Sequence, residues 1–310
     1  MSLRWFLLRR ILKYTSPFIT PFEKAFVRQY GKKESPWPTI YIIGPPRSGS
    51  TIFYQLVTHY FDVLYIDNLA SLARNNLYFG IGMSQKKFLN QPHNNFYSHH
   101  GKTDKDDFHA PNEGLFWYKY LPKNEHAIDL EAISSKKIQW IKMYHNAVKN
   151  RHQKPLVIKN LSFGMRLDLI RETEPDARIV LITREPADII QSVYYARKQL
   201  NWPEDKLWSI KPVNYREIEK LPVLEQIVLQ YRGIMEEIEK KKSQFGDHFL
   251  EISYQELCDD TIGCLERVHE SVNKIDTRPV SIPALQFSGG VPSPLRENIV
   301  SLLKHYEIHE

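Results

Sequence analysis

The stretch that decides the fold is Thr39-Ile-Tyr-Ile-Ile-Gly-Pro-Pro-Arg-Ser-Gly-Ser-Thr51, which continues into an apolar segment from Ile52 to Tyr60. Residues 39–43 form a short, β-branched and apolar run, which predicts a buried strand. The glycines that follow indicate a loop, and the apolar residues after Thr51 favour a helix. Strand, glycine loop and helix in this order are typical of the opening of a nucleotide-binding parallel sheet.

Strand and helix patterns alternate along the rest of the chain. Strands are predicted at 155–158, 177–183 and 248–253, and helices at 134–150, 162–173, 186–198, 223–242 and 261–273. This alternation predicts an α/β fold, a P-loop-type parallel sheet flanked by helices on both faces. Residues 1–38 are interpreted as a basic amphipathic N-terminal helix and linker, and residues 39–310 as a single α/β domain. Within that domain, residues 75–122 are rich in Asn, His, Tyr and Gly, which indicates an irregular insertion on the acceptor side.

Composition excludes several classes of protein. The 310 residues include 42 Lys and Arg against 36 Asp and Glu, a formal charge of only +6, and no sustained basic stripe. A nucleic-acid partner is therefore not expected. Cys258 and Cys264 are the only cysteines and have no nearby His pair, so neither a disulfide framework nor a zinc site is predicted. This cysteine usage fits a reducing compartment, and we expect the cytoplasm.

The N-terminal segment combines apolar and basic residues. Arg4, Arg9, Arg10 and Lys13 interrupt its apolar run, which argues against a transmembrane anchor, and no secretory-type cleavage site follows it. Packing of this helix on its own domain is the favoured interpretation. Peripheral attachment to a membrane is the alternative.

The glycine loop resembles a Walker A loop but lacks its lysine. Ser50 stands where that motif has Lys, and the basic residue is Arg47, three positions earlier. In an ATPase the lysine reaches the β- and γ-phosphates, and the following hydroxyl binds Mg²⁺. A loop without it still offers backbone N–H groups and a helix N-terminus to an anion. The pattern therefore favours a phosphate ligand over a magnesium triphosphate.

A second anion-binding pattern follows the strand at 177–183. Arg184 lies just beyond the strand end, where open α/β sheets bind ligands, and Ser192 is about two helical turns further on. Arg supplies a bidentate fork and Ser a hydroxyl. Two anion sites at the ends of two parallel strands indicate a ligand with two separated phosphate groups.

These residues resemble the motifs of sulfotransferases that use 3′-phosphoadenosine 5′-phosphosulfate (PAPS), in the bacterial and Golgi-like branch. The family's phosphosulfate loop, P-[KR]-[ST]-G-[ST]-[ST], matches Pro46, Arg47, Ser48, Gly49, Ser50 and Thr51. Its 3′-phosphate element matches Arg184 and Ser192. Tyr254 falls in a segment similar to the family's Y-E-[DE]-L, whose tyrosine lies against adenine, although Gln255 replaces the first acidic residue. The resemblance spans about residues 39–257.

The resemblance implies transfer of a sulfuryl group from PAPS to a hydroxyl or amine, without a metal. Lys159 is similar to a lysine that faces the transferred group, and with Arg47 it would stabilise charge on the reacting oxygens. The general base stays open. Glu113 is the first candidate, Asp67 follows, and His109 comes third, ahead of the neighbouring His99 and His100.

Two other functions remain in view at this point. One is a P-loop nucleotide kinase or NTPase, and the other is a non-catalytic nucleotide-binding module held at a membrane. The acceptor is expected to be a small molecule, a carbohydrate or a lipid, with a phenol or peptide also open. Residues 286–296 either close over the nucleotide, as a C-terminal loop does in the family, or form an ordinary connection.

Overall fold

The central element of the structure, a computed structural model, is a five-stranded parallel sheet. The structure describes residues 3–73, 76–99, 101–104, 106–113, 116–272, 274–287 and 289–308, with the side chains of 3–9 and 13 excepted. The sheet has the order β2-β5-β1-β6-β7. Its strands are β1 (Thr39–Ile43), β2 (Leu64–Tyr65), β5 (Leu156–Lys159), β6 (Arg178–Thr183) and β7 (Phe249–Ser253), and a separate hairpin pairs β3 (Ser98–His99) with β4 (Lys102–Thr103).

Helices connect and cover the strands. They are α1 (Leu3–Tyr30), α2 (Ser50–Tyr60), α3 (Asn68–Leu72), α4 (Leu77–Phe88), α5 (Ser135–His152), α6 (Leu167–Thr173), α7 (Pro186–Gln199), α8 (Tyr215–Ile218), α9 (Val223–Lys242), α10 (Tyr254–Asp259), α11 (Thr261–Val272) and α12 (Pro294–His305). Short 3₁₀ segments occupy Phe116–Lys119, Leu130–Ala132, Leu161–Met165 and Ser243–His248.

Strands β1, β2 and β5 are buried throughout, and β6 is buried except at its two ends, because helices cover both sides of the sheet. In β1, Tyr41 and Ile43 belong to a core shared with α5, α6 and α9, whereas Ile40 and Ile42 belong to a core shared with α2 and α11. Alternate residues of a strand point to opposite faces, so a wholly apolar strand fits only a sheet with two covered faces. The predicted fold class is confirmed.

The stretch at 75–122 is not irregular throughout, which corrects the prediction. It contains α4 and the β3–β4 hairpin. Gly80, Gly82 and Ser84 weaken the helical pattern of α4 in the sequence, and its first turn is stabilised from outside. Glu23 of α1 accepts hydrogen bonds from the backbone N–H groups of Tyr78 and Phe79, both at 3.0 Å. Helix α4 therefore depends on tertiary contacts that a local pattern cannot reveal.

The predicted helix at 162–173 is divided in two by Arg166. A 3₁₀ turn ends at Met165 and α6 begins at Leu167. The Arg166 side chain is buried and donates to the backbone oxygens of His126, Pro122 and Glu125. These contacts tie the end of the insertion to the sheet, and they hold Arg166 in a conformation that is not helical.

Helix α1 runs through Pro17 and Pro21 and packs on the domain. The side chains of Leu12, Glu23 and Val27 on this helix are buried against the domain. Within the described ranges, no helix combines the length and the apolar character needed to span a bilayer. The predicted N-terminal helix is thus present, and it ends at Tyr30, before the linker to β1.

Candidate active site

The site lies where the carboxyl ends of β1, β5, β6 and β7 meet at one edge of the sheet. These strands lead into the glycine loop, Lys159, Arg184 and Tyr254 respectively. A cavity of about 570 Å³ opens at this edge. It is lined by Pro46, Arg47, Gly49, Ser50, Thr51, Ile52, Tyr54, Ser98, Gly101, Lys102, Thr103, Pro111, Asn112, Glu113, Lys159, Leu161, Arg184, Trp208, Ser209 and Tyr254.

The glycine loop has a backbone conformation that suits anion binding. Arg47 has φ of 73° and Gly49 has φ of 98°, both in the left-handed region, which is uncommon for a residue such as Arg. A Cβ at Gly49 would collide with the ring of Tyr254, so the loop and this ring require a glycine. Since α2 begins at Ser50, its unpaired N-terminal N–H groups lie beside the cavity.

A hydrogen bond joins the two predicted anion motifs. The Nε of Arg47 donates to the Oγ of Ser192 at 2.9 Å, although the two residues are far apart in the sequence. Burial, together with repulsion from Arg184, lowers the pKa of the Arg47 guanidinium. The two guanidinium groups repel each other at the rim of one cavity, and an anion bound between them would relieve this repulsion.

Arg184 is held by both a carboxylate and aromatic rings. Its guanidinium lies 3.5 Å from the Oδ2 of Asp188 and over the rings of Tyr254 and Phe287, at 5.0 and 5.8 Å from their centroids. Asp188 in turn binds Arg296 at 2.6 Å. The C-terminal segment therefore contacts Arg184 through Phe287 and Asp188 through Arg296. Ser288 lies outside the described residues.

Lys159 and Glu113 form an ion pair on the cavity wall. The Lys159 ammonium donates to the Glu113 Oε1, and both residues line the cavity. The Lys159 side chain is 2% exposed, whereas that of Glu113 is 44% exposed. A buried cation at the end of β5 thus orients a carboxylate that still faces the cavity.

Asp67 and His109, the other predicted bases, are not part of the cavity lining. Asp67 caps α3 by accepting from the Ala70 N–H at 2.7 Å, and it also accepts from the Ser84 hydroxyl. The His109 ring stacks on Phe88 at 3.9 Å, and burial lowers its pKa to about 4. Their catalytic role stays a prediction, and the structure gives Asp67 a different task.

Several other predicted residues also lie away from the cavity wall. Ser48 is buried beneath the loop, and its hydroxyl has no hydrogen-bond partner within the described part of the chain. Ser192 is reached through Arg47 rather than by direct contact with the cavity. His99 lies on β3 and is exposed, and His100 lies outside the described residues. Of the four residues predicted to be catalytic, Glu113 and Lys159 are the two that the fold brings together.

Two parts of the cavity were missed by sequence reasoning. The hairpin contributes Ser98, Gly101, Lys102 and Thr103, and the connection after α7 contributes Trp208 and Ser209. The hairpin lay inside the region predicted as a binding insertion, so its general place was anticipated. No motif marks the segment at 208–209, and its one unusual feature, a φ of 71° at Ser209, is visible only in three dimensions.

Comparison with known proteins agrees with this geometry. The model of the sulfotransferase family matches residues 38–273. Sulfotransferase STF9 from Mycobacterium avium has a similar structure, with a TM-score of 0.50 and 14% sequence identity over 93% of this chain and 74% of that chain. Sulfotransferase STF1 from Mycobacterium tuberculosis H37Rv also has a TM-score of 0.50 and 14% identity, over 90% of this chain and 75% of that one.

At this level of identity, the two structures indicate a shared fold. No curated protein matches the chain at a significant level. The family match covers all five strands of the sheet, the glycine loop and the segments that carry Glu113, Lys159, Arg184 and Tyr254. On this match, the chain belongs to the sulfotransferase family.

Proposed function

We propose that this protein transfers the sulfuryl group of PAPS to a hydroxyl or amine of an acceptor. The observation that carries the proposal is the contact between Arg47 and Ser192, because it unites the phosphosulfate loop and the 3′-phosphate element at one cavity. PAPS has phosphate groups at both ends of its ribose, and each motif suits one of them.

The residues at the cavity fit such a nucleotide. Arg47 and the first turn of α2 would hold the 5′ end, and Arg184 would hold the 3′-phosphate, with Ser192 acting through its hydrogen bond to Arg47. Gly49 keeps the loop in contact with Tyr254, whose ring lines the cavity and would lie against the adenine. Arg184 is already oriented by Asp188, so little side-chain entropy is lost on binding.

Glu113 and Lys159 supply the chemistry that the chain itself must provide. Bound PAPS contributes the sulfuryl group and leaves as PAP, the bisphosphate. Lys159, buried and cationic, would stabilise negative charge on the leaving and equatorial oxygens. Glu113 binds Lys159 through Oε1, and its carboxylate is half-exposed to the cavity, where it can accept the acceptor's proton.

A P-loop kinase or NTPase fits the loop less well. Ser50 is buried at the place of the Walker lysine and begins α2, so the loop brings no ammonium to a γ-phosphate. A non-catalytic module would have no need of the Glu113–Lys159 pair beside the anion site. Both alternatives make distinct predictions for nucleotide binding and turnover.

The test combines calorimetry with an assay of transfer. We expect PAP to bind the full chain and ATP with Mg²⁺ to bind much more weakly; tight ATP binding without PAP binding would overturn the proposal. Transfer from radiolabelled PAPS is then measured with a panel of carbohydrate, lipid, phenol and peptide acceptors. Glu113→Gln should lower kcat by about 10²–10⁴-fold while PAP affinity stays unchanged. Near wild-type turnover in Glu113→Gln would refute the proposed base.

The acceptor and the compartment belong to the same proposal. The cavity wall mixes Trp208 and Leu161 with polar residues of the hairpin, which suits a small-molecule, carbohydrate or lipid acceptor that carries hydroxyl groups. Cys258 and Cys264 are free thiols, and we propose a cytoplasmic location because free thiols persist in a reducing compartment.

A further inference from the structure

Helix α1 has a second apolar face, which points to solvent rather than to the domain. Ile11, Tyr14, Phe18 and Phe22 are 57%, 63%, 77% and 65% exposed. Their spacing of three and four residues places them on one side of the helix. We call these four residues the α1 aromatic face. It extends over about 17 Å at ~1.5 Å per residue, and such a continuous exposed apolar surface indicates an interaction site.

The fold fixes this face outward. Leu12 and Val27 are buried on the side of α1 that meets the domain. Glu23 on the same side accepts the N–H groups of Tyr78 and Phe79. Because these contacts determine the rotation of α1 about its axis, the aromatic face cannot turn into the core without breaking them.

Positive charge accompanies the α1 aromatic face. Arg10, Lys24 and Arg28 are exposed, and at 3.6 residues per turn Arg10 and Arg28 lie about 80° around the helix from Phe18. The sequence contains no acidic residue before Glu23, and Glu23 itself is buried. The exposed charge along this part of α1 is therefore positive. An anionic surface is the complementary partner.

We propose that the α1 aromatic face binds the surface of a bilayer that contains anionic phospholipids. Its rings enter the boundary between headgroups and acyl chains, and the flanking cations contact lipid phosphates. A second copy of the chain is a poorer occupant, since two such helices would bring like charges together. The face is also a convex ridge along one helix, which suits insertion into a fluid interface.

This inference does not depend on the sulfuryl transfer reaction. None of the four residues lines the cavity, so a failure of membrane binding would leave the proposed activity untouched. Conversely, a chain that binds vesicles but not PAP would overturn the proposed function alone.

The test is co-sedimentation of the full chain with vesicles. One set is pure phosphatidylcholine, and the other includes about 30 mol% phosphatidylserine. The test variant is Phe18→Ser with Phe22→Ser, and the control is Val213→Ser with Ile262→Ser, which removes exposed apolar side chains elsewhere. A third variant, Lys24→Glu with Arg28→Glu, tests the charge.

We expect binding to the anionic vesicles and little to phosphatidylcholine. The Phe18 and Phe22 double variant should lose at least about tenfold in partitioning, because two apolar rings no longer enter the interface, and the control should match the wild type. The charge variant should bind more weakly, and added salt should weaken wild-type binding. Equal binding by the wild type and the Phe18 and Phe22 double variant would overturn the proposal. It would also be overturned if light scattering showed a dimer for the wild type and the control and a monomer for the double variant.

Discussion

Replacement of Asp67 by Asn separates a structural role of this carboxylate from a catalytic one. Asp67 is fully buried, caps α3 through the Ala70 N–H, and accepts from the Ser84 hydroxyl. Asn keeps the shape and an oxygen that can cap the helix, since Asn and Asp are similar N-caps. Its amide group can donate to Ser84, whose hydroxyl can also accept. The substitution therefore removes a charge and preserves the contacts.

The magnitude follows from the pKa. Burial raises the pKa of the Asp67 carboxyl from 3.8 to about 7, so the folded state binds this proton more tightly than the unfolded state does. The stability from this group is fully present below the unfolded pKa and declines as the pH rises towards the folded pKa. Above pH 7, where Asp67 is charged in both states, a difference of about 3 pKa units lowers the free energy of unfolding by about 4 kcal/mol.

The assay is urea unfolding of wild type and Asp67→Asn at about pH 4 and about pH 8. We expect similar stability at the lower pH and a variant more stable by about 4 kcal/mol at the higher pH, with turnover near that of wild type. An identical pH dependence in both proteins would refute the buried-charge argument. A kcat that falls by about 10²-fold or more in a stable variant would instead make Asp67 the base.

Three further predictions concern the loop, the second anion motif and α1. Gly49→Ala should lower PAP affinity by about 100-fold, because the methyl group collides with Tyr254 and φ is 98°, whereas Gly82→Ala, with open space around it, should leave calorimetric affinity unchanged. Ser192→Ala should weaken PAP binding by about tenfold with kcat nearly constant, and a change in kcat alone would contradict its binding role. Glu23→Ala should make α1 more sensitive to limited proteolysis, because the carboxylate of α1 no longer binds the first turn of α4. The control is Lys24→Ala, and equal cleavage of the two variants would refute the role of Glu23 in docking α1.

The parts of the fold that follow local patterns could be predicted from the sequence. Strand β7, although it carries Glu251 and Ser253, was predicted close to its observed bounds, and so were the short apolar runs β1, β5 and β6. Strands of this type are buried on both faces, so their composition carries the signal by itself. The glycine loop, Arg184 and Tyr254 directly follow strand ends, and for that reason their place at one edge of the sheet was also predictable.

Elements held by distant contacts escaped prediction. Strand β2 has only two residues and pairs with β5, and α4 depends on Glu23 from another helix. Asp67 illustrates the same limit at the site. The sequence makes it a candidate base, yet in the structure its carboxylate accepts a hydrogen bond from Ser84, which lies on α4. A spacing in the sequence cannot show which partner a buried carboxylate finds.

This division between local and distant contacts corresponds to the two sides of the cavity. The side that is proposed to bind the nucleotide is built from residues next to strand ends, which the sheet aligns whatever the rest of the chain does. The other side is built from the hairpin, Glu113 and the Trp208–Ser209 segment, which the fold brings in from separate insertions. Insertions can vary without disturbing the sheet, so we propose that the choice of acceptor rests on the part of the chain with the weakest local pattern. Substitution of Trp208 or Lys102 should therefore alter acceptor preference while PAP affinity persists, and an equal loss of PAP affinity would contradict this separation.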